Sequence, residues 1–217
     1  MKPWVGMRRM GAAVAMLLVL ALGGCGSKSS AGSDDSDDFL VRHNARFNDG
    51  DTFRWATVPI PVFTNGLAQQ GEVTAWTGAT GRAVTFTFVG SRPSAGISFR
   101  AGDLPSDTCA VTTVLHTNTI READVEINTD IYRSRVCVRT VSHETGHAIG
   151  FFGHTSDGGL MDPDGGNGEF TSDVTGMIRR LYALPPGTSV AGGERARFGL
   201  SPRNVLHSMT FVTKTRR

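Results

Sequence analysis

The run His143-Glu144-Thr145-Gly146-His147-Ala148-Ile149-Gly150-Phe151-Phe152-Gly153-His154 constrains this chain more than any other stretch. Residues four apart on a helix share a face, so His143 and His147 are predicted to project together as two ligands of one metal ion. Glu144 follows the first His and lies at the edge of that site, placed to take a proton from an activated water. Gly150 adopts backbone angles that other residues avoid, so the helix is expected to end there. The turn then brings His154 round as a third ligand. Three imidazoles leave one tetrahedral position open, the arrangement of a catalytic zinc site and not of a structural one. The plain alternative is an amphipathic helix with surface histidines. The helix is expected to begin between Ser134 and Val138, end near Gly150, and bury Val138, Val141, Ala148 and Ile149. A core-facing helix with two His and one Glu needs partners for those polar groups, and zinc meets that need.

Met161 follows in Gly159-Leu160-Met161-Asp162-Pro163. With it, the stretch resembles the metzincin zinc endopeptidases, in which a methionine turn forms an apolar floor beneath the metal without coordinating it. Thr155 after the third His is similar to the matrixin branch. So is Thr171–Tyr182, which resembles the last matrixin helix with its acidic start and its closing aliphatic-Tyr pair. Some features depart from the family. Asp162 stands where matrixins usually have Tyr. Pro163 excludes the extra zinc-binding Tyr of astacin-like and serralysin-like enzymes. Asp173 is one carboxylate where two are usual. The resemblance is strong over residues 136–182 and only a pattern match over residues 53–130.

The resemblance implies an α+β fold: a twisted mixed five-stranded sheet, three helices and an open active-site cleft. It implies one catalytic Zn²⁺ held by His143, His147 and His154, Glu144 as general base, and Met161 as the floor. It also implies that Ala110, Val111, Thr112, Thr113 and Val114 form the upper cleft rim and bind a peptide as an added strand. An ordinary edge strand is the alternative for that segment. A second, structural zinc is not carried over, because only His116 lies in the relevant region. The oxygen-rich loop from Asp162 to Glu169 fails the EF-hand spacing, with Gly166 and Asn167 in the wrong places. Calcium therefore has no support, and the loop reads as turn-rich, lining the pocket for the residue after the scissile bond.

Strand patterns agree with this outline. Thr57–Phe63 is extended, and its prolines suit an early or edge strand. Leu67–Trp76 is a candidate helix with Leu67, Val73 and Trp76 on its apolar side. Ala83–Val89 alternates, Gly96–Phe99 is short, and Ala110–His116 and Ala123–Asn128 are joined by a polar turn near Asn118. Leu206, Met209, Phe211 and Val212 fit either a strand or a wrap-around tail. His43 and His207 read as surface residues.

The 217 residues divide into four parts. Residues 1–24 carry Lys2, Arg8 and Arg9 before an apolar run, the pattern of a secretory signal too short to span a membrane. Leu22-Gly23-Gly24-Cys25 resembles a bacterial lipobox, which implies lipidation of Cys25 and anchoring to the outer face of a bacterial membrane. An ordinary signal peptide with a coincidental Cys is the alternative. Residues 25–38 form a Gly/Ser/Asp tether. Residues 39–184 form the zinc metallopeptidase domain. Residues 185–217 form a basic extension of unassigned role. There is no room for an inhibitory pro-segment between Cys25 and the domain, and neither remaining Cys sits in a latency motif. In an exported protein, Cys109 and Cys137 are expected to pair, two free thiols being the alternative. The closed loop contributes roughly 3 kcal/mol by chain entropy.

A formal charge of +2 is too small to imply nucleic acid. The expectation is a monomer that hydrolyses peptide bonds of extracytoplasmic proteins by metal-activated water. A peptidoglycan stem-peptide hydrolase and a non-catalytic surface module with structural zinc are the competing readings.

Overall fold

The computed structural model describes residues 34–190 and 206–216. The expected signal peptide, the Cys25 lipidation site, the tether up to Ser33 and residues 191–205 of the extension lie outside the described residues. No helix among the described residues is long and apolar enough to cross a membrane.

Among the described residues the fold is mixed α/β, with four α-helices and a seven-stranded mixed sheet. Helix α1 (Asp34–His43) begins inside the stretch expected to be tether. Its aspartates lie toward the N-terminal end, where the helix dipole favours negative charge. Then follow a 3-10 turn (Ala45–Asn48), β1 (Arg54–Trp55), β2 (Ile60–Phe63), α2 (Gln70–Ala79), β3 (Phe86–Phe88), β4 (Gly96–Gly102), β5 (Thr108–His116), β6 (Thr119–Asn128), α3 (Thr140–Ala148), α4 (Ser172–Ala183) and β7 (His207–Lys214). The five expected strands are present. Strands β1 and β7 and helix α1 are additional.

The sheet runs β3-β2-β4-β6-β5-β7, with β1 paired to β6. Strands β2, β3, β4 and β6 are parallel, and β5 is antiparallel to β6. The prolines of Thr57–Phe63 suggested an early or edge strand, and β2 is early in the chain but lies inside the sheet. Its pairing with β4 begins only at Val62, so the missing N–H of Pro61 removes no ladder bond on that side. The C-terminal segment is a strand and not a loose tail. Strand β7 pairs antiparallel with β5 along its length.

Helices α2 and α3 pack together and against the sheet, while α1 packs on α4. Strand β5 buries Ala110, Thr112, Val114 and His116 toward the helices, and β6 buries Ala123, Val125 and Ile127. Every residue of α3 is buried. It starts at Thr140, later than expected, because Arg139 takes a left-handed conformation (φ 45°) after a run of turns. Val138 therefore lies in the turns before the helix. A Cys109–Cys137 disulfide ties the start of β5 to these turns.

The exit of α3 is fixed by a set of side-chain donors. Helix ends leave carbonyls without intrahelical partners, and burial makes that costly. Here Trp55 Nε1 donates to Ala148 O (2.8 Å), Tyr182 Oη to Ile149 O (3.0 Å) and Asn44 Nδ2 to Gly150 O (2.9 Å). His147 Nδ1 meets Phe151 O (2.7 Å) and His43 Nδ1 meets Phe152 O (3.2 Å). The carbonyls of residues 148 to 152 thus each accept from a side chain. Gly150 (φ +116°) makes the turn, and a Cβ there would meet Leu181 Cδ2 at 2.8 Å.

Asn44 is fully buried and also binds Phe53 twice, Nδ2 to O (2.8 Å) and N to Oδ1 (3.0 Å). Asn44→Leu keeps the volume and removes all three bonds. It should destabilise the fold by about 3 kcal/mol, each stranded backbone group costing roughly 1–3 kcal/mol. Denaturant titration should show a lower midpoint at unchanged slope.

Candidate metal centre

Helix α3 carries His143 and His147 one turn apart, and the Gly150 turn brings His154 back toward them. Their ligand atoms all lie within 4.8 Å of one another. His143 Nε2 and His147 Nε2 are 3.1 Å apart. No other cluster of three or more His, Cys, Asp or Glu side chains converges in this way among the described residues.

The tautomers follow from the partners. His143 Nδ1 lies 2.6 Å from Leu160 O, and His147 Nδ1 lies 2.7 Å from Phe151 O. A carbonyl only accepts, so each Nδ1 carries the proton. Each Nε2 therefore presents a lone pair, and two lone pairs face each other at 3.1 Å. Such a contact is repulsive unless a cation lies between them. His154 Nε2 is buried and has no hydrogen-bond partner. Burial depresses all three imidazoles, His143 to about 3 and His147 well below its ordinary value, so they are neutral and ready to ligate. Neutral, convergent nitrogens, with the other ring nitrogens of His143 and His147 anchored on carbonyls, fit a divalent metal of the zinc type.

Glu144 is fully buried beside them. Its Oε2 accepts from Thr112 Oγ1, and burial raises its pKa to about 7. The Thr213 hydroxyl on β7 acts on the same carboxyl and lowers its pKa, but no hydrogen bond closes. Glu144 Oε1 and Thr213 Oγ1 are both buried and unpartnered. Phe211, two residues earlier on β7, stacks on His147 with ring centroids 4.7 Å apart.

Met161 is fully buried against α3. A Cβ on Gly146 would meet Met161 Sδ at 2.6 Å, so the absence of a side chain between the two histidines lets the methionine turn approach. Asp162 fastens this turn to the third-ligand loop. Its Oδ1 accepts from Thr155 Oγ1 (2.7 Å) and Asp157 N (3.1 Å), and its Oδ2 from Gly158 N (3.0 Å). The loop after it is built on side-chain turns, in which Gly166 N donates to Asp164 Oδ1 and Glu169 N to Asn167 Oδ1.

Other sequence expectations change. Strand β5 contains Ala110, Val111, Thr112, Thr113 and Val114, but β7 occupies the outer edge proposed for a peptide. Thr112 points inward at Glu144. His43 is half-buried and not a surface residue: it stacks on Phe151 at 4.6 Å, and burial lowers its pKa to about 4. His207 is also half-buried, 5.4 Å from His116 between ring centroids. Asn44, Trp55, Gly146, Phe211 and Thr213 were not picked out as site residues. Only the apolar residues Leu206, Met209, Phe211 and Val212 carried a signal, one that fits a strand or a wrap-around tail and names no partner. A depression of about 390 Å³ opens beside His154, lined by residues including Phe39, Arg42, His43 and Asp157.

No protein-family model matches this chain, and no curated protein matches it.

The shifts fix a pH dependence for the metal-stripped protein. The unfolded chain takes up protons at His43, His143 and His147 as pH falls through 6.5, whereas in the folded chain burial lowers His43 to about 4, His143 to about 3 and His147 well below its ordinary value. Their contribution is fully present above pH 6.5 and is lost as pH falls. Glu144 opposes this, because its raised pKa costs stability as pH rises from 4.5 to about 7. Three imidazoles outweigh one carboxyl, so the Tm in chelator should fall as pH drops from 6.5. Glu144→Gln should steepen that fall. A flat Tm profile would contradict the assignment.

Proposed function

We propose that this protein is a zinc-dependent endopeptidase, metzincin-like in fold and closest in pattern to the matrixin branch. The observation that carries the reading is the pair of opposed Nε2 lone pairs on His143 and His147, with a buried carboxyl on the next residue. A structural zinc would need no such carboxyl. The mixed sheet with β5 as its cleft-side strand, and Met161 packed under the ligand helix, fit the fold that the resemblance implies.

Zn²⁺ bound to the three imidazoles would supply Lewis acidity, both for activating water and for polarising a carbonyl. The chain's own residues do the rest. Glu144 takes the proton from the attacking water and passes it to the leaving amine. Thr112 orients the carboxyl. The carbonyls of Leu160 and Phe151 hold two imidazoles in the ligating tautomer.

The protein is further proposed to be exported and lipid-anchored through Cys25, acting on extracytoplasmic polypeptides. The Cys109–Cys137 disulfide suits an oxidising compartment.

Glu144→Gln should retain about one equivalent of zinc and lose peptide cleavage by about 10²–10⁴-fold. Elemental analysis beside a casein digest measures both, and near wild-type cleavage would sink the mechanism. His154→Ala should lose most of its zinc on dialysis. Unchanged metal content would remove His154 from the ligand set.

A further inference from the structure

The outer edge of β5 is already filled. Ala110 pairs with Thr213, Val111 with Val212, Thr112 with Phe211 and Thr113 with Thr210. Strand β7 also packs directly on α3. Phe211 and Thr213 are buried on its inner face, whereas Thr210 and Val212 face solvent. The Phe211 ring covers His147 at 4.7 Å and Phe152 at 5.3 Å. With β7 in place, a polypeptide finds neither a free strand edge nor an approach to Glu144 from this side.

We propose that β7 is an intramolecular occupant of the peptide-binding edge, a C-terminal strap that keeps the site closed by running antiparallel along β5 with Phe211 over His147. The proposal rests on the peptidase reading, in which β5 is the rim that a substrate pairs with.

The physics makes such a strap displaceable. Exchanging one strand for another conserves the ladder hydrogen bonds, so the backbone term nearly cancels. The strap wins by being tethered, at an effective concentration on the order of millimolar. Beyond the ladder, Lys214 Nζ holds both Asp107 oxygens at 3.0 Å, Thr215 N donates to Asp107 O (2.9 Å) and Arg216 N to Val136 O (2.7 Å). The Lys214–Asp107 pair is exposed, and exposed pairs are weak and salt-sensitive.

The test uses the full chain. Thr113 Oγ1 and Thr210 Oγ1 are 3.2 Å apart on register partners, so T113C/T210C can be clasped by oxidation. The probe is a fluorescein-labelled synthetic peptide of residues 206–216. The oxidised, zinc-loaded variant should bind the probe roughly tenfold or more weakly than the reduced variant, and cleave casein correspondingly slowly. Wild type in the same reductant accounts for any effect of opening Cys109–Cys137. Equal binding and equal cleavage in the clasped and reduced forms would overturn the strap.

A second variant guards against misfolding of the first. Phe211→Ser should speed hydrogen exchange at β5 amides and strengthen probe binding by roughly tenfold. No change in either would overturn the proposal. Probe binding and exchange need no hydrolysis. If both respond while nothing is cleaved, the strap stands and the peptidase reading fails. Equal probe binding together with equal, measurable cleavage in the clasped and reduced forms overturns the strap and leaves the peptidase reading standing.

Discussion

Two imidazoles buried in one helix, each anchored through Nδ1 to a main-chain carbonyl, set the terms for the rest of the molecule. The anchors decide which nitrogen is protonated, and so decide that the Nε2 atoms of His143 and His147 face each other as acceptors 3.1 Å apart. A helix carrying two His and a Glu in the core needs that organisation, since unpaired buried polar groups cost free energy. The Leu160 and Phe151 carbonyls come from the two segments that follow α3. The ligand helix, the methionine turn and the third-ligand loop are therefore one unit.

That unit is held from outside by residues distant in sequence. The indole of Trp55, the phenol of Tyr182, the amide of Asn44 and the imidazole of His43 reach carbonyls between Ala148 and Phe152. They come from α1, the chain just after it, β1 and α4, so most of the fold converges on the turn that positions His154. Asp162 shows the same economy on the other side. Where the resemblance led one to expect Tyr, a carboxylate binds Thr155, Asp157 and Gly158 and joins the two loops.

The sheet supplies the remaining wall. Strand β5 presents Thr112 to Glu144 on its inner side, and its outer edge takes β7. Edge strands invite pairing, and covering them protects a protein from unwanted partners. Here the cover lies directly over the candidate chemistry, with Phe211 on His147. The same ladder that completes the sheet also closes the site.

The sequence alone determined what is local. Four-residue spacing put His143 and His147 on one face, glycine's backbone freedom placed the turn at Gly150, and alternation marked Ala83–Val89, within which β3 forms. It left α3 starting too early, because the left-handed Arg139 before Thr140 has no signature in residue type. It also placed His43 on the surface, since nothing local shows that Phe151 stacks on its ring. Tertiary structure decided the pairings. Period-two alternation in 207–214 tells which side chains share a face but not which strand they meet, and a lone Asn gives no hint that it will hold Phe53 and Gly150 together. The Asn44–Gly150 bond and the β5–β7 ladder close the chain over about a hundred residues, and the short-range preferences legible in a sequence do not encode such closure.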